Sequence, residues 1–108
     1  MQEQDGTGKS TTQRDEPPQA ECVSEVELRN PSGLHTRPAA TFVERASTFR
    51  AEVLLLKDGR EANGKSILDL LALGAEKGAR LTLITRGPDA AAAAEALRGM
   101  LETGFDQP

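Results

Sequence analysis

The sequence predicts an α+β domain in which helices cover one face of an antiparallel sheet. Some segments alternate apolar and polar residues, whereas others repeat apolar residues every three or four positions. The two kinds follow one another as strand, helix, strand, strand, helix, strand, helix, and turn residues separate them. The 108-residue chain suits one such domain with a modest core. Periodicity alone is equally compatible with a ferredoxin-like arrangement.

The first strand and the first helix are separated by a turn. Val23 to Arg29 alternates apolar and polar side chains, as a strand with one buried face does. Pro31-Ser32-Gly33 combines residues that favour a turn. A helix is expected from about Thr36 to Thr48, since Pro38 suits a first helical turn. Its apolar stripe is Ala39, Phe42, Val43 and Ala46.

A hairpin and a short helix are expected next. Ala51 to Lys57 is an apolar run, and Asp58-Gly59 after it is a strong hairpin signal, so Arg60 to Asn63 should return as an edge strand. Asn63-Gly64 turns the chain again. Lys65 to Leu73 should be helical, with Ser66 and Asp69 three residues apart as in a capping box.

The last strand and the last helix complete the pattern. Ala79 to Thr85 alternates in the manner of a strand, and Gly87-Pro88-Asp89 should open the final helix. Gly104 should end it. The expected buried stripe is Ala93, Leu97, Met100 and Leu101.

Residues 1–22 differ in composition from the predicted domain at 23–108. No large apolar side chain lies between Met1 and Ala20, so burial cannot offset the entropy of ordering, and we expect a disordered tail. The tail carries three of the four net negative charges. Gly8-Lys9-Ser10 copies the end of a P-loop, but Glu3 stands where the first glycine belongs and no strand precedes it. Nucleotide binding is therefore disfavoured.

Composition excludes several classes of partner. The net charge is −4, and the chain has three Phe but neither Trp nor Tyr, which argues against nucleic-acid binding. No apolar run is long enough to cross a membrane, and no signal segment is recognisable at the start. The single cysteine, Cys22, agrees with a reducing compartment. We therefore expect a cytoplasmic location.

His35 is the only histidine, and it lies between the turn and the first helix. The free amides and positive dipole end of a first helical turn favour an anion and disfavour an imidazolium. Arg37 adds a permanent positive charge, and its planar guanidinium can bind two phosphate oxygens at once. Without metal ligands or an acid partner nearby, these groups suit a phosphoryl carrier better than a hydrolase. Taken alone, a single histidine is more often structural than chemical.

The run Pro31-Ser32-Gly33-Leu34-His35-Thr36-Arg37-Pro38-Ala39-Ala40 resembles the active-site signature of HPr, the histidine phosphocarrier of the phosphoenolpyruvate-dependent phosphotransferase system. The likeness continues through Lys65-Ser66-Ile67-Leu68 and Leu73-Gly74, and covers roughly residues 23 to 105. The resemblance implies a four-stranded antiparallel sheet with three helices on one face, the βαββαβα open-faced sandwich. It also implies a carrier and not a self-contained enzyme.

The resemblance further implies roles for individual residues. His35 would accept the phosphoryl group from phosphorylated enzyme I and pass it to IIA-type proteins, and Arg37 would stabilise the phosphate. Ser32, Thr36, Pro38 and Ala39 would support the site. No metal or other cofactor is implied. The protein is expected to be a monomer that serves sugar uptake or its regulation.

The segment at Ser66 has two compatible interpretations. Its hydroxyl should cap the second helix, and the matching serine in some HPr proteins is a regulatory phosphorylation site for an HPr serine kinase/phosphorylase. Ile67 and Leu68 are the expected docking residues for donor and acceptor proteins. Leu70 and Leu71 are expected to face the core.

Several features depart from the usual HPr pattern and leave alternatives open. Ser32 stands where asparagine is common, and Gly104-Phe105-Asp106 and Gly87-Pro88 resemble the nitrogen-related branch, NPr. Lys65-Ser66-Ile67 instead resembles the sugar branch. One alternative is therefore a regulatory binding module of a nitrogen-related or incomplete system, signalling through Ser66 and His35 without sugar transport. A weaker one is an enzyme fragment that uses Gly8-Lys9-Ser10.

Overall fold

A computed structural model of the chain describes residues 20–106. Residues 1–19, which make up most of the predicted tail and include the P-loop-like segment, lie outside the described residues. Within the described range, no helix is long and apolar enough to cross a membrane.

Four strands and three α-helices form the described part of the chain, in the predicted order. The elements are β1 (Glu21–Glu27), α1 (Thr36–Ala46), β2 (Glu52–Lys57), β3 (Arg60–Asn63), α2 (Ile67–Leu73), β4 (Arg80–Arg86) and α3 (Ala90–Glu102), followed by a short 3-10 turn at Gly104–Asp106. The strands form one antiparallel sheet in the order β1-β4-β2-β3. The predicted α+β class and the four-stranded sheet are confirmed.

The core lies between the sheet and the helices, because alternate strand residues point toward them. Val53 and Leu55 of β2 and Leu81 and Leu83 of β4 are fully buried. α3 packs on β1 and β4, α2 lies beside β3, and α1 contacts both other helices. The predicted helix stripes are buried, except that Val43 and Met100 are only partly covered.

β1 begins at Glu21, two residues before the predicted start of the domain. Glu21 lies opposite Arg86 in the sheet, and its carboxylate accepts a hydrogen bond from the Arg86 guanidinium at 2.8 Å. This hydrogen bond raises the pKa of Arg86. Cys22 packs against the core. Glu21 and Cys22 were predicted to belong to the tail but are part of the strand. The residues that they pair and pack with are distant in sequence, so local pattern did not reveal this.

Two helix ends also differ from the prediction. α1 ends at Ala46 because the amides of Thr48 and Phe49 donate three residues back, to Arg45 and Ala46, and not four. α2 begins at Ile67 and not at Lys65. Ser66 has extended backbone angles and caps this helix from outside.

Candidate functional site

His35 is the N-cap residue of α1, as the sequence predicted. Its backbone is extended, with φ −83° and ψ −173°, and its carbonyl accepts the Ala39 amide at 2.9 Å. Its side chain makes no capping hydrogen bond and is exposed. The amides of Thr36 and Arg37 belong to the first turn, where no intrahelical partner exists. The imidazole therefore lies at the positive end of the helix, reachable from solvent.

Gly33 fixes the turn that carries His35. Its φ is +72°, a region that residues with a Cβ rarely adopt. A Cβ there would lie 2.6 Å from the Ala75 carbonyl oxygen and 2.8 Å from the Glu76 Cα. The next residue, Leu34, is buried, and its amide donates to the same Ala75 oxygen at 3.0 Å. The turn is thus held against the loop that follows α2.

Asn30 also holds this turn in place, a role that the sequence analysis did not predict. The residue is only 1% exposed, and its Nδ2 donates to the Gly33 carbonyl at 2.5 Å and to the Ser32 hydroxyl at 3.4 Å. Its Oδ1 has no hydrogen-bond partner among residues 20–106. Asparagine side chains often bond backbone groups in turns, which was the available signal. Asn30 thus provides side-chain bonding across a turn in which Ser32 replaces the common asparagine.

Most of the site residues predicted around His35 line one open cavity of about 480 Å³. It is lined by Pro31, Ser32, His35, Thr36, Arg37, Pro38, Thr41 and Phe105. Ala39 does not reach it, because its side chain is fully buried in the core. Thr41 and Phe105 had not been predicted as site residues; Thr41 lies one turn after Arg37, which is the signal that could have identified it.

The cavity has the charge and hydrogen-bonding groups of an anion site. Arg37 is exposed, and its guanidinium forms no ion pair with any residue from 20 to 106. The Thr41 hydroxyl donates to the Arg37 carbonyl at 3.1 Å. Over the same range, no three His, Cys, Asp or Glu side chains are grouped so that they could hold a metal ion. The arrangement can hold a phosphoryl group beside the imidazole with a guanidinium and backbone amides.

Ser66 lies outside this cavity, at the start of α2. Its hydroxyl accepts the Asp69 amide at 3.2 Å, as predicted. The reciprocal half of a capping box is absent from the described structure, because the Asp69 carboxylate accepts the Asn63 amide at 2.9 Å instead. Lys65 donates from Nζ to the Phe49 carbonyl at 2.9 Å and so ties this segment to the end of α1.

α2 exposes three of its leucine and isoleucine side chains. Leu68 is 78% exposed, and Ile67 and Leu71 are about two-fifths exposed. The exposure of Ile67 and Leu68 agrees with the prediction. The expectation that Leu71 is buried is wrong, because a helix of only two turns places one narrow face on the core, and Leu70 and Leu73 fill it.

Comparison with known protein families gives a match over most of the chain. Residues 23–103 match the family model described as "PTS HPr component phosphorylation site". The match includes the turn, His35 and Arg37, and it extends through α2 to α3.

Individual proteins give the same result. The chain is 44% identical to the HPr-like protein Crh of Halalkalibacterium halodurans, over 72% of this chain and 93% of that protein. It is similar to the crystal structure of a phosphocarrier protein HPr from Bacillus anthracis, with TM-score 0.74 and 38% identity over 76% of this chain and 98% of that one. A crystal structure of Bacillus subtilis Crh, described as a dimer with a swapped domain, has TM-score 0.64 and 42% identity, covering 73% and 91% of the two chains.

Proposed function

The chain belongs to the HPr component family of the phosphotransferase system, and from this premise we propose that His35 accepts a phosphoryl group from phosphorylated enzyme I and delivers it to IIA-type proteins. Members of this family carry phosphate and are not self-contained enzymes. The observation that supports the proposal most strongly is the exposed imidazole at the N-cap of α1, in a cavity that it shares with Arg37.

The transfer needs little beyond positioning and charge stabilisation. A ring nitrogen of His35, Nδ1 by the family resemblance, attacks the phosphorus of the donor phosphohistidine. The donor phosphorus–nitrogen bond breaks and its electron pair returns to the donor imidazole. The same exchange, with His35 as the leaving group, then moves the phosphoryl group to a IIA-type protein. Free energy is conserved because one phosphoramidate bond replaces another.

Arg37 and the first-turn amides are proposed to hold the equatorial phosphate oxygens during both steps. Their attraction must be moderate, since a carrier that bound the group too tightly would not release it. The open cavity and the solvent-exposed guanidinium suit such moderate binding. Ser32, Thr36 and Pro38 line the same cavity, and Ala39 supports the first turn of the helix from the core.

Substitution of the acceptor tests this proposal. Incubation with enzyme I and phosphoenolpyruvate should place one acid-labile phosphate on the protein, and His35→Ala should abolish it. Arg37→Ala should slow phosphorylation at least about tenfold while the domain stays folded, because Arg37 is exposed and outside the core. Arg80→Ala removes an exposed arginine that does not line the cavity, and it should leave the rate unchanged. Normal acid-labile labelling of His35→Ala would refute the assignment.

We propose that the exposed side of α2 is the docking surface for both partners, with Ile67 and Leu68 as its main contacts. A leucine that is 78% exposed offers an apolar anchor, and the helix that carries it packs against α1, the helix that begins after His35. The protein is proposed to act as a cytoplasmic monomer. Light scattering of the purified chain tests the oligomeric state against the swapped dimer described for Bacillus subtilis Crh.

A regulatory role without sugar transport is the second candidate function. It is favoured by the similarity to an HPr-like protein Crh and by the capping hydroxyl of Ser66, which is only partly buried. An HPr serine kinase/phosphorylase with ATP should then place an acid-stable phosphate on Ser66, which Ser66→Ala removes. A protein that accepts this phosphate but none from enzyme I would favour the regulatory role over the carrier.

A further inference from the structure

We propose that the ring of Phe105 covers one side of phosphorylated His35 and so slows the attack of water on the phosphohistidine. The inference rests on the proposed carrier function and assigns a positioning role to a residue beyond the end of α3. Phe105 is 9% exposed and lines the same cavity as His35, although the two residues are far apart in sequence.

The backbone of Phe105 is unusual for an aromatic residue. Its φ is +62° and its ψ is +25°, in the left-handed region that bulky side chains rarely occupy. Such conformations persist where the surrounding structure determines them, and they concentrate at functional sites. Phe105, which lines the cavity, is thus held in a costly backbone conformation.

The segment that carries Phe105 is fixed to the same turn as His35. The Arg29 amide donates to the Leu101 carbonyl at 3.2 Å. A Cβ on Gly104 would lie 3.2 Å from the Asn30 N and Cα atoms, so the two backbones are in close contact. Asn30 in turn holds the carbonyl of Gly33. Phe105 and His35 are therefore held in a fixed relation through adjoining backbone.

Phe105 also lines a second, neighbouring cavity. A second cavity of about 350 Å³ is lined by Thr41, Gly99, Met100, Thr103 and Phe105. Thr41 and Phe105 line both cavities, so the two spaces adjoin at these residues. We therefore expect removal of the ring to enlarge the space beside His35 and to admit more water to its phosphate.

Water is the competing acceptor for a phosphohistidine. In hydrolysis, a water oxygen attacks phosphorus, the phosphorus–nitrogen bond breaks with its electron pair going to the imidazole, and the water protons end on the phosphate and the ring. Exclusion of water from the site suppresses such a side reaction. The polar residues lining the cavity attract water, whereas the ring of Phe105 does not.

The lifetime of the phosphorylated protein tests this role. The full chain is phosphorylated on His35 with the small molecule phosphoramidate, and the release of inorganic phosphate is followed by ³¹P NMR across pH 6 to 9. Phe105→Ala and Phe105→Gly should shorten the half-life roughly threefold to tenfold. Phe105→Leu keeps apolar bulk and should stay near the parent. Met100 lines the second cavity but not the first, so Met100→Ala should leave the half-life unchanged.

Two controls separate this role from a structural one. Phe105→Gly removes the ring but suits the left-handed backbone, so its melting temperature should fall less than that of Phe105→Ala. Shortened half-lives in both variants support shielding, whereas parental half-lives in folded variants overturn it. Equal shortening in Met100→Ala overturns it also. Phosphoramidate phosphorylates His35 without enzyme I, so the half-life is measured whether or not the carrier function is correct. A failure of the carrier function would instead appear as an absence of phosphoryl transfer from enzyme I.

Discussion

Gly33→Ala should damage both the fold and the site, and the size of the effect follows from the geometry. A residue with a Cβ at φ +72° costs about 1–2 kcal/mol in backbone strain. The new methyl group would lie 2.6 Å from the Ala75 carbonyl oxygen, and overpacking of this kind adds roughly 1–3 kcal/mol. That oxygen accepts the Leu34 amide, so its displacement also moves the turn before His35.

Gly59→Ala is the matched control for this prediction. Gly59 has φ +79°, but nothing lies within 4 Å of a Cβ there, so only the backbone strain applies. Urea unfolding should show a loss of about 1–2 kcal/mol for Gly59→Ala and about 2–5 kcal/mol for Gly33→Ala. Phosphorylation by enzyme I should slow only in Gly33→Ala. If both variants lose the same stability, the close contact with the Ala75 loop does not hold the turn.

Three further predictions concern the turn, the start of α3 and the docking surface. Asn30→Ala should cost about 1–3 kcal/mol in urea unfolding and slow phosphorylation, because a buried carbonyl of the turn loses its donor. The hydrogen bond from the Arg50 amide lowers the pKa of Asp89, so Asp89→Asn should be less stable than the parent at neutral pH. This difference in unfolding free energy should vanish as the pH falls below 3.8, the ordinary pKa of Asp, and then through the lowered pKa of Asp89. A difference at pH 3 as large as that at neutral pH would contradict this. Leu68→Glu should slow phosphoryl transfer from enzyme I roughly tenfold. Val23→Glu, at an exposed apolar position of β1, should leave the transfer rate unchanged. Equal transfer rates for the two variants would show that α2 is not the docking surface.

The order and type of the elements were predictable from the sequence because each depends on local periodicity. Val53 and Leu55 alternate with less buried neighbours, and Phe42 and Ala46 repeat at helical spacing. The sheet order β1-β4-β2-β3 was not available from periodicity, because it depends on pairs such as Glu21 and Arg86 that are distant in the chain. The same dependence explains the misplaced start of β1.

The centre of the site was predictable because its chemistry lies in one short run of sequence. His35 and Arg37 are two residues apart, and one helix start places both at the same cavity. The outer part of the site was not predictable, because Phe105 reaches the cavity from the far end of the chain. Leu71 was misassigned because the hydrophobicity of a short helix does not show which side meets the core. Asn30 was missed because its role depends on burial.

The most direct measurement of the central claim is the position of the phosphate on the intact protein after reaction with enzyme I and phosphoenolpyruvate. ³¹P NMR and fragment mass spectrometry of the unacidified sample should show a single phosphohistidine at His35, and brief acid treatment should remove it. A phosphate that survives acid, or one that maps to any other residue, would contradict the account, as would a chain that remains unphosphorylated while a known HPr is labelled in the same reaction.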